Sequence, residues 1–216
     1  VFKSLKRLGI DTIDLYQVHW PDRRVPSFGS NSTIWTGPSR ADDEVAIEET
    51  LDALAAHVKA GRIRHVGLSN ESTWGLMRWL RAAEVTGGPR VVSIQNAYNL
   101  LNRTFEVNLA EACGREDVSL LAYSPLGQGY LTGKYRGGAL PAGSRKQLFD
   151  RLQRYERPNM PEAVEAYCAL AADLGVTPVR LAIAFAASRP FVASVIIGAT
   201  SMAQLEEDLA AFDFVV

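Results

Sequence analysis

The sequence predicts an α/β fold in which parallel strands alternate with helices, as in a TIM (β/α)8 barrel. Five apolar strand segments alternate with helical segments along the chain. These strand segments lack the strict apolar–polar alternation of strands that have one solvated face. The GxGxxG motif of doubly wound dinucleotide folds is absent, which favours the barrel over that alternative.

Composition limits the classes of function. The 216 residues, 47% hydrophobic and 22% charged, predict one globular domain with a sizeable core. A net charge of −1 gives no overall attraction to nucleic acid or to an acidic membrane surface, so neither is predicted as a partner. No apolar run reaches the roughly 18–20 residues of a membrane span, and the opening VFKSLKRL does not resemble a secretory signal. The cytoplasm is therefore the expected compartment. The two cysteines, Cys113 and Cys168, are too few for a disulfide framework and lack metal-site spacing, so each is expected in the core or on the surface of a helix, without a redox role.

Local signals place each element in turn. An initial helix ends at Gly9, and other glycines and prolines mark further boundaries. Strands are predicted at Ile13–Trp20, Ile63–Ser69, Val91–Gln95, Ser119–Tyr123 and Ala193–Ile197. Helices are predicted at Glu44–Ala60, from Ser72 or Thr73 to about Ala83, and at Val107–Arg115, Glu162–Leu174, Pro178–Ser188 and Met202–Leu209, the last with a capping box formed by Ser201 and Gln204. Two long loops remain, Arg23–Asp43 and Gly127–Pro161, and loops of this length are usually functional or disordered.

Polar residues follow each predicted strand at the point where it ends. They are His19, Ser69-Asn70, Gln95-Asn96, Tyr123-Ser124 and Gly198-Ala199-Thr200. Barrel enzymes keep their chemistry at the carboxyl ends of their strands. The sequence therefore predicts that these groups share one functional rim.

His19 has two interpretations on sequence alone. It is either a core histidine that bonds a backbone carbonyl, or a rim group that polarises a substrate carbonyl. His57 lies in a predicted helix and His65 near a strand start, and both are expected to be structural or solvated. The three histidines show no HExxH or HxH spacing, so no metal site is predicted.

Ser69, Asn70 and Gln95 are candidates for binding a planar amide. Side-chain amides supply both donors and acceptors, which suits the carboxamide of a nicotinamide ring. Each residue could instead form a turn, but their common position at strand ends favours the binding interpretation.

The loop from Tyr123 to Gly129 is a candidate cofactor loop. A tyrosine at a strand end can present its face to a ring, and the Ser and Gly residues that follow can expose amides to a phosphate. Lys134 and Arg136 add positive charge. The alternative is a glycine-rich connector with a solvated basic edge. Gly198-Ala199-Thr200-Ser201 opens a helix, whose N-terminus would also favour an anion.

Five segments together resemble the aldo-keto reductases, and they cover nearly the whole chain. They are LGIDTIDLYQVHWPD, GRIRHVGLSN, SIQNAYNLLNR, LLAYSPLGQGYLTGKY and VIIGATSMAQLEEDL. The last two look most like the Tas-type bacterial members, near the potassium-channel β-subunits. The resemblance implies a (β/α)8 barrel that binds NADP(H), of which this chain would supply about strand four to helix eight.

The resemblance also implies roles for individual residues. His19 falls on the catalytic histidine, and the nicotinamide carboxamide positions fall on Ser69, Asn70 and Gln95. Tyr123 falls on the aromatic residue that stacks on nicotinamide. The pyrophosphate loop would comprise Ser124, Leu126, Gly129 and Lys134, and the adenosine end Gly198, Thr200, Gln204, Glu207 and Asp208. Trp20 and the loop with Phe28 and Trp35 are expected to form one wall of the substrate pocket.

Two departures from the family pattern qualify this reading. Asp208 stands where the family usually has Asn, and no Arg occupies the position of Gln204, so NAD(H) stays open as an alternative cofactor. The family's catalytic Tyr, Lys and Asp fall before Val1, and the chain is interpreted as an interior piece of one barrel domain, truncated at both ends. Tyr16 and Tyr98 do not match the motif of the catalytic Tyr.

The expected function is NADPH-dependent reduction of aldehydes or ketones by the parent protein, with a small carbonyl compound as substrate. One alternative is a regulatory module of the channel β-subunit type, which binds NADP(H) and turns over little. Another is a different barrel enzyme, such as an isomerase. The sequence makes no prediction of oligomeric state.

The resemblance yields a prediction for the isolated chain of 216 residues, which should fold poorly and should not reduce carbonyls. Closure stabilises a barrel, whereas five strands alone leave two sheet edges and uncovered apolar faces. The measurement is expression of residues 1–216 alone, followed by sizing and an assay of NADPH-dependent aldehyde reduction. A soluble monomer with sustained turnover would contradict the prediction and point to another acid, such as Tyr16 or Tyr98.

Overall fold

A computed structural model describes residues 1–23, 25–26, 35, 37, 44–150 and 152–215. The strands are β1 Ile13–Val18, β2 Ile63–Ser69, β3 Val91–Ala97, β4 Ser119–Tyr123 and β5 Val192–Ile196. The α-helices are α1 Phe2–Leu8, α2 Ile47–Lys59, α3 Thr73–Thr86, α4 Leu109–Arg115, α5 Arg145–Phe149, α6 Met160–Asp173, α7 Pro178–Ala187 and α8 Met202–Ala210. Short 3-10 turns lie at Thr104–Glu106, Gly127–Thr132, Arg136–Gly138 and Ala211–Asp213.

The five strands follow one another in the sheet in the order of the chain, β1-β2-β3-β4-β5. β1 pairs with β2 in parallel, with Val18 opposite Leu68, and β2 pairs with β3 in parallel, with Ser69 opposite Gln95. The order does not reverse, and such a reversal is what creates the binding crevice of a doubly wound fold. The predicted α/β class with barrel-type strand order is confirmed.

Several predicted boundaries shift by a few residues. β1 ends at Val18 rather than Trp20, so His19 lies just beyond the strand. α3 runs on to Thr86, where Gly87 in the left-handed conformation (φ 67°) ends it. The predicted helix Val107–Arg115 begins later, at Leu109, because a 3-10 turn precedes it and Asn108 has φ −141°. In each case the local backbone, which the residue pattern does not specify, sets the end.

The described chain divides into two compact units. Unit 1 comprises the described residues within Val1–Val25, Trp35–Asn96 and Asn108–Leu120, and unit 2 comprises Pro26 and the described residues within Ala97–Val107 and Leu121–Val216. Unit 1 buries one face of α2 and α3 together with β2 and β3. Its buried side chains include Leu51, Leu76, Leu80, Val66 and Ile94.

Unit 2 contains an aromatic cluster around Tyr98, which has no exposed surface. Its ring stacks on Phe185 at 5.7 Å between centroids and meets Phe191 edge-on at 5.4 Å. Phe105 packs on Phe191 at 5.4 Å. A second cluster joins Tyr130, Tyr135, Leu152, Tyr155, Val164 and Cys168. α7 buries seven of its ten residues, as expected of a helix surrounded by protein.

Both cysteines are free and buried, in agreement with their predicted packing role. Burial raises the pKa of the Cys113 thiol to about 12. Burial also raises the pKa of Cys168, against the opposing effect of Arg136.

Within the described residues, no single helix has the length and apolar composition needed to cross a membrane. α6 and α7 meet that test only as a pair bent by 94°.

Candidate active site

In unit 1, the carboxyl ends of β1, β2 and β3 are joined by hydrogen bonds. Asn70 donates through Nδ2 to the His19 carbonyl oxygen at 2.9 Å and to Ser69 Oγ at 3.1 Å. Ser69 Oγ and the Asn70 backbone amide both donate to the Gln95 carbonyl oxygen, at 2.8 and 3.0 Å. Ser69 and Asn70 are buried and Gln95 is partly buried. The structure therefore brings the three predicted carboxamide ligands together, beside the backbone of His19.

Gln17 belongs to the same group, although the sequence reasoning missed it. Its Nε2 donates to Gln95 Oε1 at 3.0 Å. Gln17 lies two residues before His19, and side chains two apart on a strand share a face. The two-residue spacing between Gln17 and His19 is therefore the feature of the sequence that could have identified Gln17. We refer to Gln17, Ser69, Asn70 and Gln95 as the amide cluster.

His19 is exposed, so the interpretation as a core histidine is wrong. Its ring lies 4.1 Å from that of Trp20, centroid to centroid, with the planes tilted by 35°. His65 is exposed as predicted. His57 is partly buried and meets Phe2 edge-on at 5.5 Å. His19 is thus placed at a strand end where a reacting group can reach it.

The turn after β2 is held by a buried ion pair. Asn70 has φ 56°, a left-handed conformation that Asn tolerates better than most residues. The Glu71 carboxylate accepts from both terminal nitrogens of Arg23, at 2.5 and 3.0 Å, and from the Ser72 amide at 2.6 Å. The Glu71 carbonyl oxygen accepts from Asn96 Nδ2 at 3.0 Å. No sequence motif indicated this pair.

A cavity of about 250 Å³ lies in unit 1 beside this turn. Its walls include Trp20, Arg23, Val45 and Trp74. The predicted pocket residue Trp20 thus lines a cavity, whereas Trp35 is exposed and is not among the lining residues. Phe28, the third residue of the predicted wall, lies outside the described residues.

In unit 2, Tyr123 is held by Arg154. The Arg154 guanidinium donates to Tyr123 Oη at 2.9 Å, and its carbon lies 5.5 Å from the ring centroid. Ser124 follows with φ 56°, and its carbonyl oxygen accepts from Asn99 Nδ2 at 2.8 Å. Asn99 is fully buried and also donates to Tyr155 Oη at 2.9 Å. The strand end that carries Tyr123 and Ser124 is therefore fixed by two side chains that the sequence did not single out.

The glycine-rich loop after β4 uses some of its amides internally. Gly127 donates to the Ser124 carbonyl oxygen and Gly129 to that of Leu126, each at 2.9 Å. A Cβ at Gly129 would lie 3.0 Å from the side chain of Lys134, and its φ of 102° also excludes most other residues. Lys134 itself is exposed, with its ammonium 5.3 Å from the Tyr135 ring centroid. Leu126 and Gly129 are partly buried, close to that exposed positive charge.

A Tyr–Lys–Glu group ties this loop to a later segment. Lys146 Nζ donates to Tyr130 Oη at 2.9 Å and to Glu156 Oε1 at 2.7 Å, and Tyr130 Oη donates to the same carboxylate oxygen at 2.7 Å. The hydrogen bond between Lys146 and Glu156 raises the pKa of Lys146 and lowers the pKa of Glu156. Burial raises the pKa of Tyr130. The two charges and the neutral phenol therefore persist at neutral pH and hold the loop in place.

The predicted adenosine-end residues surround the start of α8. Gly198, Thr200 and Gln204 are exposed, and Glu207 is partly buried. Ser201 caps α8 by accepting from the Gln204 amide at 3.3 Å. Gln204 Oε1 accepts from the amide of Thr200 at 2.8 Å, one residue before the cap, so the predicted capping box is displaced by one residue.

Asp208 is buried, with 2% of its surface exposed. Its Oδ2 has no partner among the described residues. Burial, and then the charge of Glu207, raise its pKa.

Tyr98 does not have the environment of a catalytic acid that transfers its proton to a substrate. Its hydroxyl donates to the carboxylate of Glu106, which Arg103 also binds. Burial and this hydrogen bond raise the pKa of Tyr98 well above its usual value. The proton is therefore firmly held, which agrees with the mismatch of Tyr98 to the family motif.

The family model for the aldo/keto reductases matches residues 1–216. The chain belongs to the aldo/keto reductase family. It is 50% identical over 206 residues, 95% of this chain, to protein Tas from Escherichia coli. It spans 59% of the length of that relative.

Two other relatives are less similar to this chain than protein Tas. A probable voltage-gated potassium channel subunit beta from Arabidopsis thaliana is 32% identical over 98% of this chain and 60% of its own length. An NADH-specific methylglyoxal reductase from Escherichia coli is 30% identical over 99% of this chain and 58% of its own length. The chain therefore lies in the Tas-type branch, with a potassium-channel β-subunit-like relative, as predicted.

Asp208 yields a prediction about the aldo/keto reductase that contains this chain. Asp208→Asn should raise the thermal midpoint at neutral pH, by the equivalent of about 1 kcal/mol, because it removes a buried carboxylate with an unpartnered oxygen. A carboxyl whose pKa is raised by folding stabilises the fold below its unfolded pKa and loses that contribution as pH rises through the folded pKa. The gain should therefore shrink as pH falls toward about 4.

The measurement is thermal unfolding of both proteins across that pH range. Asp213→Asn, at an exposed position near the same chain end, is the matched control and should change little. A gain that is the same at acid and neutral pH would contradict the argument.

Proposed function

We propose that the protein containing this chain is an NADP(H)-dependent reductase of aldehydes or ketones. The observation that carries the proposal is the amide cluster of unit 1, with the exposed His19 at the neighbouring strand end. Side-chain amides can donate hydrogen bonds to a carboxamide and accept them from it, and a histidine can donate a hydrogen bond to a carbonyl oxygen. Family membership supports the reductase class, since one relative carries the name of a methylglyoxal reductase.

The donors and acceptors present fit the nicotinamide end of such a cofactor. Gln17 Oε1 and Asn96 Oδ1 are buried acceptors without a partner among the described residues. A carboxamide NH2 group could supply the missing donors, and buried polar atoms normally have partners. The amide cluster, with Asn96, would hold the carboxamide, and Tyr123 would provide the stacking face implied by the family resemblance.

The bound cofactor would supply a hydride from nicotinamide C4 to the carbonyl carbon. The role of this chain is to place the groups and stabilise charge. His19 would donate a hydrogen bond to the carbonyl oxygen, where negative charge develops as the hydride arrives. The oxygen also needs a proton, and the family resemblance assigns that step to a Tyr whose motif neither Tyr16 nor Tyr98 matches. The Tyr98 hydroxyl is committed to Glu106 and does not compete for the role.

Preference for NADPH over NADH is the finer part of the proposal. Lys134 is exposed beside Gly129, where it can meet the pyrophosphate that both cofactors carry, so it supports either cofactor equally. Asp208 and Glu207 near the proposed adenosine end oppose a further negative charge. The name of the NADH-specific relative indicates that NADH is used within the family. We propose NADP(H) because of the resemblance, with NAD(H) as the alternative.

The test uses the whole protein. NADPH and NADH are titrated by fluorescence, and oxidation of each is followed with methylglyoxal and with an aromatic aldehyde. Tight NADPH binding with steady turnover supports the proposal. Tight binding with almost no turnover would instead support a regulatory module, the second candidate, which the similarity to a probable channel β-subunit favours. Absence of binding to either cofactor would overturn both and favour a different barrel enzyme.

Tyr123→Ala should weaken NADPH binding about fivefold in the whole protein, since an aromatic stacking contact contributes about 1 kcal/mol. Tyr123→Phe is the matched control. It keeps the ring and removes only the hydroxyl that accepts from Arg154, so most of the affinity should remain. Fluorescence titration measures both. Equal affinity of wild type and Tyr123→Ala would exclude the stacking role.

His19→Ala should lower turnover on carbonyl substrates by roughly 10²–10³, the usual effect of losing one donor to a developing oxyanion. NADPH affinity should stay close to that of the wild type, because His19 contacts the substrate carbonyl and not the cofactor in the proposed mechanism. His65→Ala, an exposed histidine in β2, should leave both quantities unchanged. Wild-type turnover in His19→Ala would show that this residue does not act on the carbonyl.

A further inference from the structure

The ion pair between Arg23 and Glu71 differs from the other ion pairs among the described residues. Its side chains are 18% and 2% exposed, whereas both partners in the remaining pairs are at least 27% exposed. The contact is bidentate, and the Arg23 guanidinium also lies 4.9 Å from the Trp74 ring centroid. Breaking a buried pair leaves an uncompensated charge, whereas exposed pairs contribute little. This pair therefore constrains the segments that carry it.

Those segments are the ones that carry the candidate site. Arg23 follows His19 and Trp20 beyond β1, and Glu71 follows Ser69 and Asn70 beyond β2. The ion pair thus joins the same two segments as the hydrogen bond from Asn70 Nδ2 to the His19 carbonyl oxygen. Two independent links hold the ends of the two strands together.

Glu71 also fixes the conformation of Asn70 from its carboxyl side. The Glu71 carboxylate bonds the Ser72 amide, and its carbonyl oxygen bonds Asn96 Nδ2. Ser72 in turn caps α3 by accepting from the Gly75 amide at 3.2 Å. Asn70, with φ 56°, therefore sits between an anchored strand and an anchored helix start. A left-handed non-glycine residue persists only where its surroundings fix it.

We propose that Arg23 and Glu71 are positioning residues that set the orientation of Ser69 and Asn70 toward the nicotinamide carboxamide. The inference rests on the proposed function, because it assigns the ion pair a role in that same site. Arg23 and Glu71 touch neither cofactor nor substrate in this scheme. Their effect passes through the turn at Asn70 and through its bond to the backbone of His19.

The experiment separates the two ends of the cofactor in the whole protein. Dissociation constants for NADPH and for 2′,5′-ADP, which lacks the nicotinamide, are measured for the wild type, Glu71→Gln, Arg23→Met and Arg23→Lys. Glu71→Gln and Arg23→Met should weaken NADPH severalfold and leave 2′,5′-ADP unchanged. Their turnover at saturating NADPH should fall on the order of 10²-fold, the effect of a small misplacement of reacting groups. Arg23→Lys, which keeps the charge without the fork, should recover part of both losses.

The matched control is the ion pair between Arg64 and Asp14, which also joins β1 to β2 but is 64% and 73% exposed. Asp14→Asn and Arg64→Lys should behave as the wild type toward both ligands.

Each possible result either supports or overturns the positioning role of Arg23 and Glu71. Selective loss of NADPH affinity with partial recovery in Arg23→Lys supports the positioning role. Equal loss of both ligands would show that the pair serves only the general stability of the fold, and unchanged NADPH affinity and turnover would show that it serves no function in the site. If the wild type binds neither of these ligands nor NADH, the proposed function itself fails, and the positioning role fails with it.

Discussion

Parallel pairing of β1, β2 and β3 is the constraint on which the unit 1 site depends. The register places Val18 opposite Leu68 and Ser69 opposite Gln95, so the chain leaves all three strands at one edge. Because side chains alternate across a strand, a slip of one residue would turn each group to the other face. The amide cluster therefore needs no motif that is continuous in sequence. Its members come from three strands and meet because the strands run in one direction.

In unit 2, side-chain and loop contacts, rather than strand pairing, hold the candidate residues in place. Its glycine-rich loop bonds to itself through Gly127 and Gly129, and Lys146 and Glu156 fasten it from a later segment. Four of the six residues in the adjoining hydrophobic cluster lie outside the α-helices and strands, and three of these four are tyrosines. Tyrosine suits such a loop, since its ring is buried while its hydroxyl reaches a polar partner. The loop is thus packed internally and presents the side chain of Lys134 outward.

The sequence predicted what depends on local pattern. Apolar runs located all five strands, and polar residues after them located His19, Ser69 and Asn70. It could not predict contacts between residues far apart in the chain. Gln17 lies 78 positions from Gln95, and Arg23 lies 48 positions from Glu71. The burial of these side chains could not be predicted either, because it depends on which distant segments cover a side chain and not on its neighbours in sequence.

The burial of both thiols has a practical consequence for labelling chemistry. The thiolate is the form that reacts with maleimides and other alkylating reagents. Cys113 has a pKa raised to about 12 and almost no exposed surface, and Cys168 is also buried with a raised pKa. A cysteine introduced at an exposed position, such as that of Val107 in unit 2, would therefore react first. Within the described chain, a fluorophore or spin label can be attached at a chosen site without replacing either native cysteine.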